Sequence, residues 1–134
     1  MYLLDTNIFI RGLSVGFKSE TTFLQQIVSD KKIAISVVVV AEFLVKANSD
    51  EIGIFNKLLK EFGSLSIDEE MAKIAAEYRK QFLRKTKQGF LLDCFLAAQA
   101  KIHDFVLVTN DLADFPMKDI SIMSPSADAL PTKS

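Results

Sequence analysis

The sequence predicts an α/β fold with helices packed on both faces of a mainly parallel sheet. Short apolar segments alternate with longer segments whose apolar residues recur at helical spacing. The short segments are residues 2–4, 33–36, 64–67, 105–108 and 120–123. Strands that are separated by helices usually pair in parallel, and helices then cover both faces of the sheet.

The first half of the chain predicts four helices, at residues 8–13, 20–29, 37–48 and 51–62. The third of these is ambiguous, because four consecutive valines favour a strand. Ser36 can cap a helix, however, and residues 41–46 continue one well. We therefore predict a strand that ends at Ser36 and a helix that follows it.

The second half predicts a helix from Asp68, a natural N-cap, to about residue 85. A helix over residues 91–103 then leads into the strand 105–108. Residues 111–115 form a turn or one helical turn, and residues 120–123 form a strand at the edge of the sheet. We predict one domain over residues 1–124, followed by a polar tail over residues 125–134.

Composition restricts the class of protein. The 134 residues are 49% hydrophobic, enough for the core of one domain. The net charge of −1 gives no overall attraction to nucleic acid, so RNA contacts would need a local basic patch. The one cysteine, Cys94, excludes an internal disulfide. No signal peptide and no apolar run of about 18 residues is present, which predicts a cytoplasmic protein without a membrane partner.

Four acidic residues are predicted to meet at one edge of the sheet. Asp5 and Asp111 follow predicted strands, and Glu42 lies less than two turns into the helix after another strand. Asp93 begins the helix that leads back to the start of strand 105–108. In parallel sheets ligands bind beyond the carboxyl ends of the strands, so this edge is the candidate site.

Several carboxylates in one pocket repel each other, and a divalent cation removes that conflict. Oxygen ligands favour Mg²⁺ or Mn²⁺ over zinc. Next to a phosphodiester, one or two such ions can activate a water and stabilise the charge on the leaving oxygen. Asn7 and Thr109 add neutral groups that could hold a carboxylate or a metal-bound water. No histidine is placed as a base, so a metal-bound hydroxide would be the nucleophile.

These residues resemble a known family. The matching segments are LLDTNIFI at residues 3–10, VVVVAEFL around Glu42, LLDCFLAAQA around Asp93 and Thr109-Asn110-Asp111 followed by Asp114-Phe115. In this order they resemble the PIN domain, and within it the VapC-like ribonuclease toxins of toxin–antitoxin pairs. The resemblance implies a three-layer α/β/α sandwich and a Mg²⁺- or Mn²⁺-dependent endoribonuclease acting on RNA.

The resemblance also implies roles for individual residues. Asp5, Glu42 and Asp93 match the three main acidic positions, and Asp111 matches the variable fourth position, with Asp114 as its rival. The polar residues that support the site in the family match Asn7 and Thr109. Toxins of this kind usually form homodimers, and a partner antitoxin inserts a segment into a groove near the active site.

A basic run precedes Asp93 and is a candidate RNA contact. It consists of Arg79, Lys80, Arg84, Lys85 and Lys87. The structural alternative is a solvated helix end, where cations also suit the helix dipole. Arg11 is a weaker candidate of the same kind.

Each candidate acid also has a structural alternative. Asp5 and Asp111 could be turn or helix-cap residues, and Asp93 could be an acid favoured by the helix dipole. Glu42 could face solvent. At the level of the whole protein, a non-catalytic PIN-like module that binds RNA or a protein stays open. A receiver-type protein with an acidic Mg²⁺ pocket is disfavoured, because no lysine follows the late strand.

Overall fold

A four-stranded parallel sheet forms the centre of the computed structural model, which describes residues 1–82 and 90–125. The strands are β1 (Tyr2–Leu4), β2 (Ile33–Ala34), β3 (Val106–Val108) and β4 (Ser121–Met123). Their order is β2-β1-β3-β4, and every neighbouring pair is parallel. The predicted parallel sheet is therefore confirmed, with residues 120–123 contributing its edge strand.

Helices flank this sheet and connect its strands, which confirms the predicted α/β class. In the described part of the chain they are α1 (Thr6–Gly12), α2 (Lys18–Ser29), α3 (Val37–Lys46), α4 (Ser49–Phe62), α5 (Glu69–Gln81), α6 (Phe90–His103) and a 3₁₀ turn (Leu112–Asp114). None of these helices is long and apolar enough to cross a membrane.

The prediction of a strand over residues 64–67 is wrong. Only one isolated bridge forms there, between Ser36 and Leu65. The predicted strand 33–36 is also too long, because β2 ends at Ala34 and the Ser36 side chain accepts a hydrogen bond from the Val38 N–H at 3.1 Å. Ser36 is therefore the N-cap of α3, which begins at Val37. The pairing with residue 65 is limited to two backbone hydrogen bonds, from the Leu65 N–H to the Ile35 carbonyl at 2.7 Å and from the Val37 N–H to the Leu65 carbonyl at 3.0 Å.

The helix that was ambiguous in the sequence is confirmed as α3, Val37–Lys46. The predicted cap of α5 is confirmed as well, since the Asp68 carboxylate accepts a hydrogen bond from the Met71 N–H at 2.9 Å. The helix as described ends at Gln81, and its predicted end near residue 85 lies outside the described residues. Most of the predicted tail, residues 126–134, lies outside them too.

Three buried phenylalanines join the helices on one side of the sheet. Phe43 of α3 stacks on Phe55 of α4, with ring centroids 4.1 Å apart. Phe9 of α1 meets Phe55 edge-on at 5.2 Å. All three side chains are fully buried. Because Glu42 is next to Phe43 and Asp5 caps α1, this aromatic cluster fixes the helices that carry two of the predicted site residues.

Candidate active site

Asp5 is a buried carboxylate at the carboxyl end of β1. Its side chain caps α1 by accepting a hydrogen bond from the Thr6 N–H at 2.8 Å. The Thr109 hydroxyl donates to its other oxygen at 2.9 Å. Asp5 is only 9% exposed, so water has little access to its carboxylate. The two donors replace the hydrogen bonds that water would make to a carboxylate on the surface.

The turn after β3 lies directly beside Asp5, because β1 and β3 are neighbours with Leu4 opposite Val108. Thr109 links the two, since its hydroxyl donates to Asp5 and accepts a hydrogen bond from the Asp111 N–H at 3.0 Å. The Asn7 side-chain amide donates to Asp111 Oδ2 across a longer 3.4 Å. The polar residues that follow the two central strands therefore share one hydrogen-bonded group, as their positions in the sequence predicted.

Glu42 joins this group from α3. The Thr6 hydroxyl donates to Glu42 Oε1 at 2.6 Å, while the Thr6 backbone N–H donates to Asp5. One threonine therefore holds the two acids next to each other. Glu42 is partly buried in its position two turns from the Ser36 cap.

The electrostatics of Asp5 connect three of the acids. Burial raises the pKa of the Asp5 carboxyl above its ordinary value, and the negative charges of Glu42 and Asp111 raise it further. The hydrogen bonds from Thr109 and Thr6 favour the ionised form and oppose this rise. The Asp5 carboxyl therefore ionises less readily than an exposed aspartate, and a nearby cation would offset this effect.

The topology of the chain places the start of α6, which carries Asp93, on the carboxyl side of the sheet, and the place of Asp93 in the site stays a prediction. Asp93 lies in the first turn of α6, whose 14 residues span about 21 Å, and residues 104–105 then lead into β3. Because β3 is only about 10 Å long and starts where α6 ends, the beginning of α6 lies on the carboxyl side of the sheet. Close by, burial raises the pKa of the Cys94 thiol to about 11, and the charge of Asp93 adds to this rise.

Asp111 and its rival Asp114 occupy different positions in the turn. Asp111 precedes the 3₁₀ turn, accepts the hydrogen bond from Asn7 and acts on the pKa of Asp5. Asp114 ends the 3₁₀ turn, and its backbone N–H donates to the Asp111 carbonyl at 2.9 Å. Asp111 therefore contacts the group around Asp5, and its assignment as the fourth acid stays a prediction.

The chemistry of the donors fits a hard divalent cation, because carboxylate, amide and hydroxyl oxygens are what Mg²⁺ and Mn²⁺ prefer. Over residues 1–82 and 90–125, however, no three His, Cys, Asp or Glu side chains are close enough to enclose a metal ion as they stand. Ionised carboxylates repel each other, and a divalent cation between them removes that repulsion. A bound ion would therefore have to bring these side chains closer.

The predicted basic residues differ in their surroundings. Arg11 Nη1 lies 3.6 Å from the Glu20 carboxylate, and the guanidinium stacks over Phe17. Lys80 pairs with Glu77 at 3.4 Å. Arg79 lies over the Phe90 ring at 5.8 Å. Three further candidates lie outside the described residues: Arg84, Lys85 and Lys87.

Two residues next to the site were missed in the sequence. The Asn110 side-chain amide donates to Glu20 Oε2 at 2.6 Å, and Glu20 is buried in the first turn of α2. The position of Asn110 between Thr109 and Asp111 was the only signal for its involvement. Glu20 looked like an exposed acid at a helix start, and nothing in the sequence connects it to residue 110.

Comparison with known proteins identifies the family. The family model of the PIN domain matches residues 2–119. The chain belongs to the PIN domain family. No match was found among curated proteins. The predicted resemblance is thereby confirmed, and the receiver-type alternative is excluded.

Solved PIN-fold structures agree with this assignment. A chain in the crystal structure of FitAcB from Neisseria gonorrhoeae is 24% identical, with a TM-score of 0.71 over 94% of this chain and 99% of that chain. A chain of VapBC2 from Rickettsia felis, bound to a promoter DNA fragment, is 21% identical, with a TM-score of 0.73 over 92% and 97%. A chain of a toxin–antitoxin complex from Klebsiella pneumoniae is 24% identical, with a TM-score of 0.72 over 93% and 98%. This PIN domain therefore has the fold of chains found in toxin–antitoxin complexes.

Proposed function

We propose that this PIN domain is a Mg²⁺- or Mn²⁺-dependent endoribonuclease, that it hydrolyses RNA phosphodiester bonds in the cytoplasm, and that it is the toxin of a toxin–antitoxin pair. One observation carries the proposal. Asp5 is buried beside two further acids, Glu42 and Asp111, at the carboxyl edge of the sheet. Such an arrangement disfavours the metal-free ionised state and favours cation binding.

The proposed ligands are Asp5, Glu42, Asp93 and Asp111. When bound, a divalent ion would supply an activated water and offset the charge on the leaving oxygen. The chain's own groups set the orientation of the ligands. Thr109 holds Asp5 through its hydroxyl, Thr6 holds both Asp5 and Glu42, and Asn7 reaches Asp111.

Cleavage of a total-RNA preparation by the purified protein tests this function. Discrete fragments are expected with Mg²⁺ or Mn²⁺ and none with EDTA. Calorimetric titration with Mn²⁺ is run in parallel, because a selective nuclease can lack its substrate in a given preparation. Fragments that persist in EDTA, or absence of both cleavage and Mn²⁺ binding, would refute the proposal.

Arg79 is the strongest described candidate for an RNA contact. Its Nη1 is buried and has no hydrogen-bond partner in the part of the chain that the structure describes. The guanidinium stacks over Phe90, the first residue of α6, and its charge acts on Cys94 next to Asp93. A guanidinium nitrogen without an acceptor among the described residues suits an anionic ligand, and a phosphate of the RNA backbone would supply the acceptor.

Arg79→Ala is expected to weaken RNA binding by about 3- to 10-fold and to make the affinity less dependent on salt, because one phosphate contact is lost. Binding is measured by fluorescence anisotropy in an Asp5→Asn background, so that the RNA stays intact. Lys73→Ala is the control, since it removes the same charge from α5 while Lys73 pairs with Glu69 at 3.0 Å. An equal loss in both variants would contradict a specific contact.

The exposed apolar surface supports a protein partner. Val45 of α3 is 85% exposed, and Leu44 beside it and Ile54 of α4 are also exposed. Leu44 and Val45 are neighbours in the chain, and contiguous exposed apolar residues are typical of protein interfaces. Because similar solved chains come from VapBC and FitAB complexes and from a toxin–antitoxin complex, we propose a cognate antitoxin as partner.

We also propose that the chain forms a homodimer. Sedimentation of the purified protein is expected to give twice the 15.0 kDa mass of one chain. Stable dimers have dissociation constants of about 1 μM or less. Sedimentation of the wild type as a monomer at about 100 μM would therefore contradict the proposed homodimer.

One observation favours a second candidate function. As placed, the described acids do not enclose a metal ion, which is also what a non-catalytic PIN-like module that binds RNA or a protein would show. The Mn²⁺ titration separates the two functions. A module of this kind would bind RNA without binding Mn²⁺, and Asp5→Asn would leave its RNA affinity unchanged.

A further inference from the structure

The side chain of Asn110 is held at both of its ends by residues from distant parts of the chain. Its Nδ2 donates to Glu20 Oε2 at 2.6 Å, and its Oδ1 accepts a hydrogen bond from the Ser124 hydroxyl at 2.6 Å. Glu20 belongs to the first turn of α2, and Ser124 directly follows β4. One amide therefore connects the turn after β3 to two other elements.

Glu20 is a buried charge, only 5% exposed. A buried carboxylate is costly unless hydrogen bonds and opposite charge compensate for it. Asn110 supplies the shorter contact, and Arg11 Nη1 supplies a longer one at 3.6 Å. Gly12 permits the close packing of α1 on α2 here, because a Cβ at this position would lie 2.8 Å from Leu24 Cδ2.

Asn110 lies in the chain between two residues that contact the candidate site. Thr109 contacts Asp5, and Asp111 contacts Asn7. Strand β3 ends at Val108, and the 3₁₀ turn begins only at Leu112. Backbone hydrogen bonds hold the two ends of the intervening turn, because the Thr109 N–H donates to the Met123 carbonyl and the Asp114 N–H donates to the Asp111 carbonyl, each at 2.9 Å. Between these two ends, the Asn110 side chain supplies the contacts to α2 and to the residue after β4.

We propose that Asn110 and Glu20 are positioning residues that fix the turn carrying Thr109 and Asp111, and that they thereby set the affinity of the site for a divalent cation. This inference rests on the proposed metal-dependent function. Neither residue touches the reacting atoms. Hydrogen-bonded residues behind the ligands of a metal site typically change metal affinity by about 10- to 100-fold when they are replaced.

Exchange of a hydrogen-bond donor for a carboxylate tests the network. Asn110→Asp places a negative charge against Glu20 and is expected to weaken Mn²⁺ binding by about 10-fold in calorimetric titration. Adding Glu20→Gln restores a donor–acceptor pair with reversed direction and is expected to bring the affinity back to within about 3-fold of the wild type. Asn56→Asp, the same substitution on the exposed surface of α4, is the control and should leave the affinity unchanged.

A second readout needs no metal. The Asp111 N–H donates to the Thr109 hydroxyl at 3.0 Å, so its hydrogen exchange reports the geometry of the turn directly. Exchange is expected to be faster in Asn110→Asp and to return toward the wild-type rate in the double variant. This exchange pattern could appear although the wild type binds no Mn²⁺. That result would refute the metal-dependent function, and with it the proposed effect on cation affinity. It would still support the structural coupling between Asn110 and the turn.

Two results would overturn the proposal itself. The first is a folded Asn110→Asp variant with wild-type Mn²⁺ affinity and wild-type exchange at Asp111. The second is failure of Glu20→Gln to restore either quantity in a folded double variant. If Asn110→Asp does not fold, Glu20→Ala and Glu20→Gln are compared instead. Only the alanine variant should lose affinity, and equal affinities would overturn the proposal.

Discussion

Replacing Asp5 by Asn is expected to abolish RNA cleavage and to stabilise the metal-free protein. The loss of activity should be about 1,000-fold or more, because a metal ligand supports several kcal/mol of transition-state stabilisation. Asn is nearly the same size as Asp, can still cap α1 by accepting from the Thr6 N–H, and can donate to the Thr109 hydroxyl. The fold should therefore persist while the buried charge disappears.

The gain in stability of Asp5→Asn over the wild type is expected to increase as the pH rises. Burial, with the charges of Glu42 and Asp111, raises the folded-state pKa of Asp5. The contribution of Asp5 to stability is therefore complete below its unfolded pKa and is lost as pH rises through the folded pKa. The melting temperature of Asp5→Asn should match that of the wild type near pH 3.5 and exceed it near pH 7, by about 3 °C for each kcal/mol gained.

Scanning calorimetry in EDTA measures this difference, and the RNA assay measures the activity. Asp50→Asn is the control, because it makes the same change at an exposed position in the first turn of α4 and should show neither effect. Retained cleavage by Asp5→Asn would refute the proposed role of Asp5. A melting temperature that falls near pH 7 would show that the hydrogen bonds of Asp5 outweigh the cost of its buried charge.

Phe55→Ala is expected to lower the free energy of unfolding by about 3–5 kcal/mol, a large part of the 5–15 kcal/mol typical of a domain. Phe55 is fully buried, stacks on Phe43 and contacts Phe9 edge-on. The alanine variant loses this apolar contact area and leaves a cavity among three helices. Urea denaturation followed by circular dichroism measures the change.

Phe17→Ala provides the comparison, because Phe17 is 41% exposed and its loss should cost about 1 kcal/mol or less. Phe55→Leu refills part of the cavity, so its loss in free energy of unfolding should lie between the losses of the two alanine variants. If Phe55→Ala and Phe17→Ala lowered the free energy of unfolding equally, the aromatic cluster would not anchor α3 and α4. Since α3 carries Glu42, a folded Phe55→Ala protein should also bind Mn²⁺ more weakly.

The arrangement of the two central strands could be predicted because local patterns determine it. Apolar segments that run into Asp5 and into Thr109 identify both strands and their carboxyl ends, and parallel pairing then brings the two ends together. The strand expected over residues 64–67 could not be excluded in the same way. The pairing there stops at the single bridge between Ser36 and Leu65, because the chain turns into α3 directly after its cap, Ser36.

The network behind the site could not be predicted, because its partners are distant in sequence and ordinary in composition. Asn110 and Glu20 are 90 residues apart, and an acid near a helix start is usually exposed. Arg11 was a weak candidate for an RNA contact, and its Nη1 lies 3.6 Å from the buried Glu20 carboxylate, a neighbour that the sequence did not reveal. That Glu20 is buried depends on how α1 packs on α2, which no local pattern encodes.

The place of β1 between β2 and β3 has a consequence for synthesis of the protein. Thr109 follows Asp5 by 104 residues, so the ribosome releases one half of the site long before the other. Until residues 106–111 emerge, β1 lacks a neighbour on one side and Asp5 lacks its partner hydroxyl. A nascent chain, or a fragment that ends before residue 106, therefore cannot assemble the site. Under the proposed nuclease function, cleavage can therefore begin only after residues 106–111 have been released and have paired with β1.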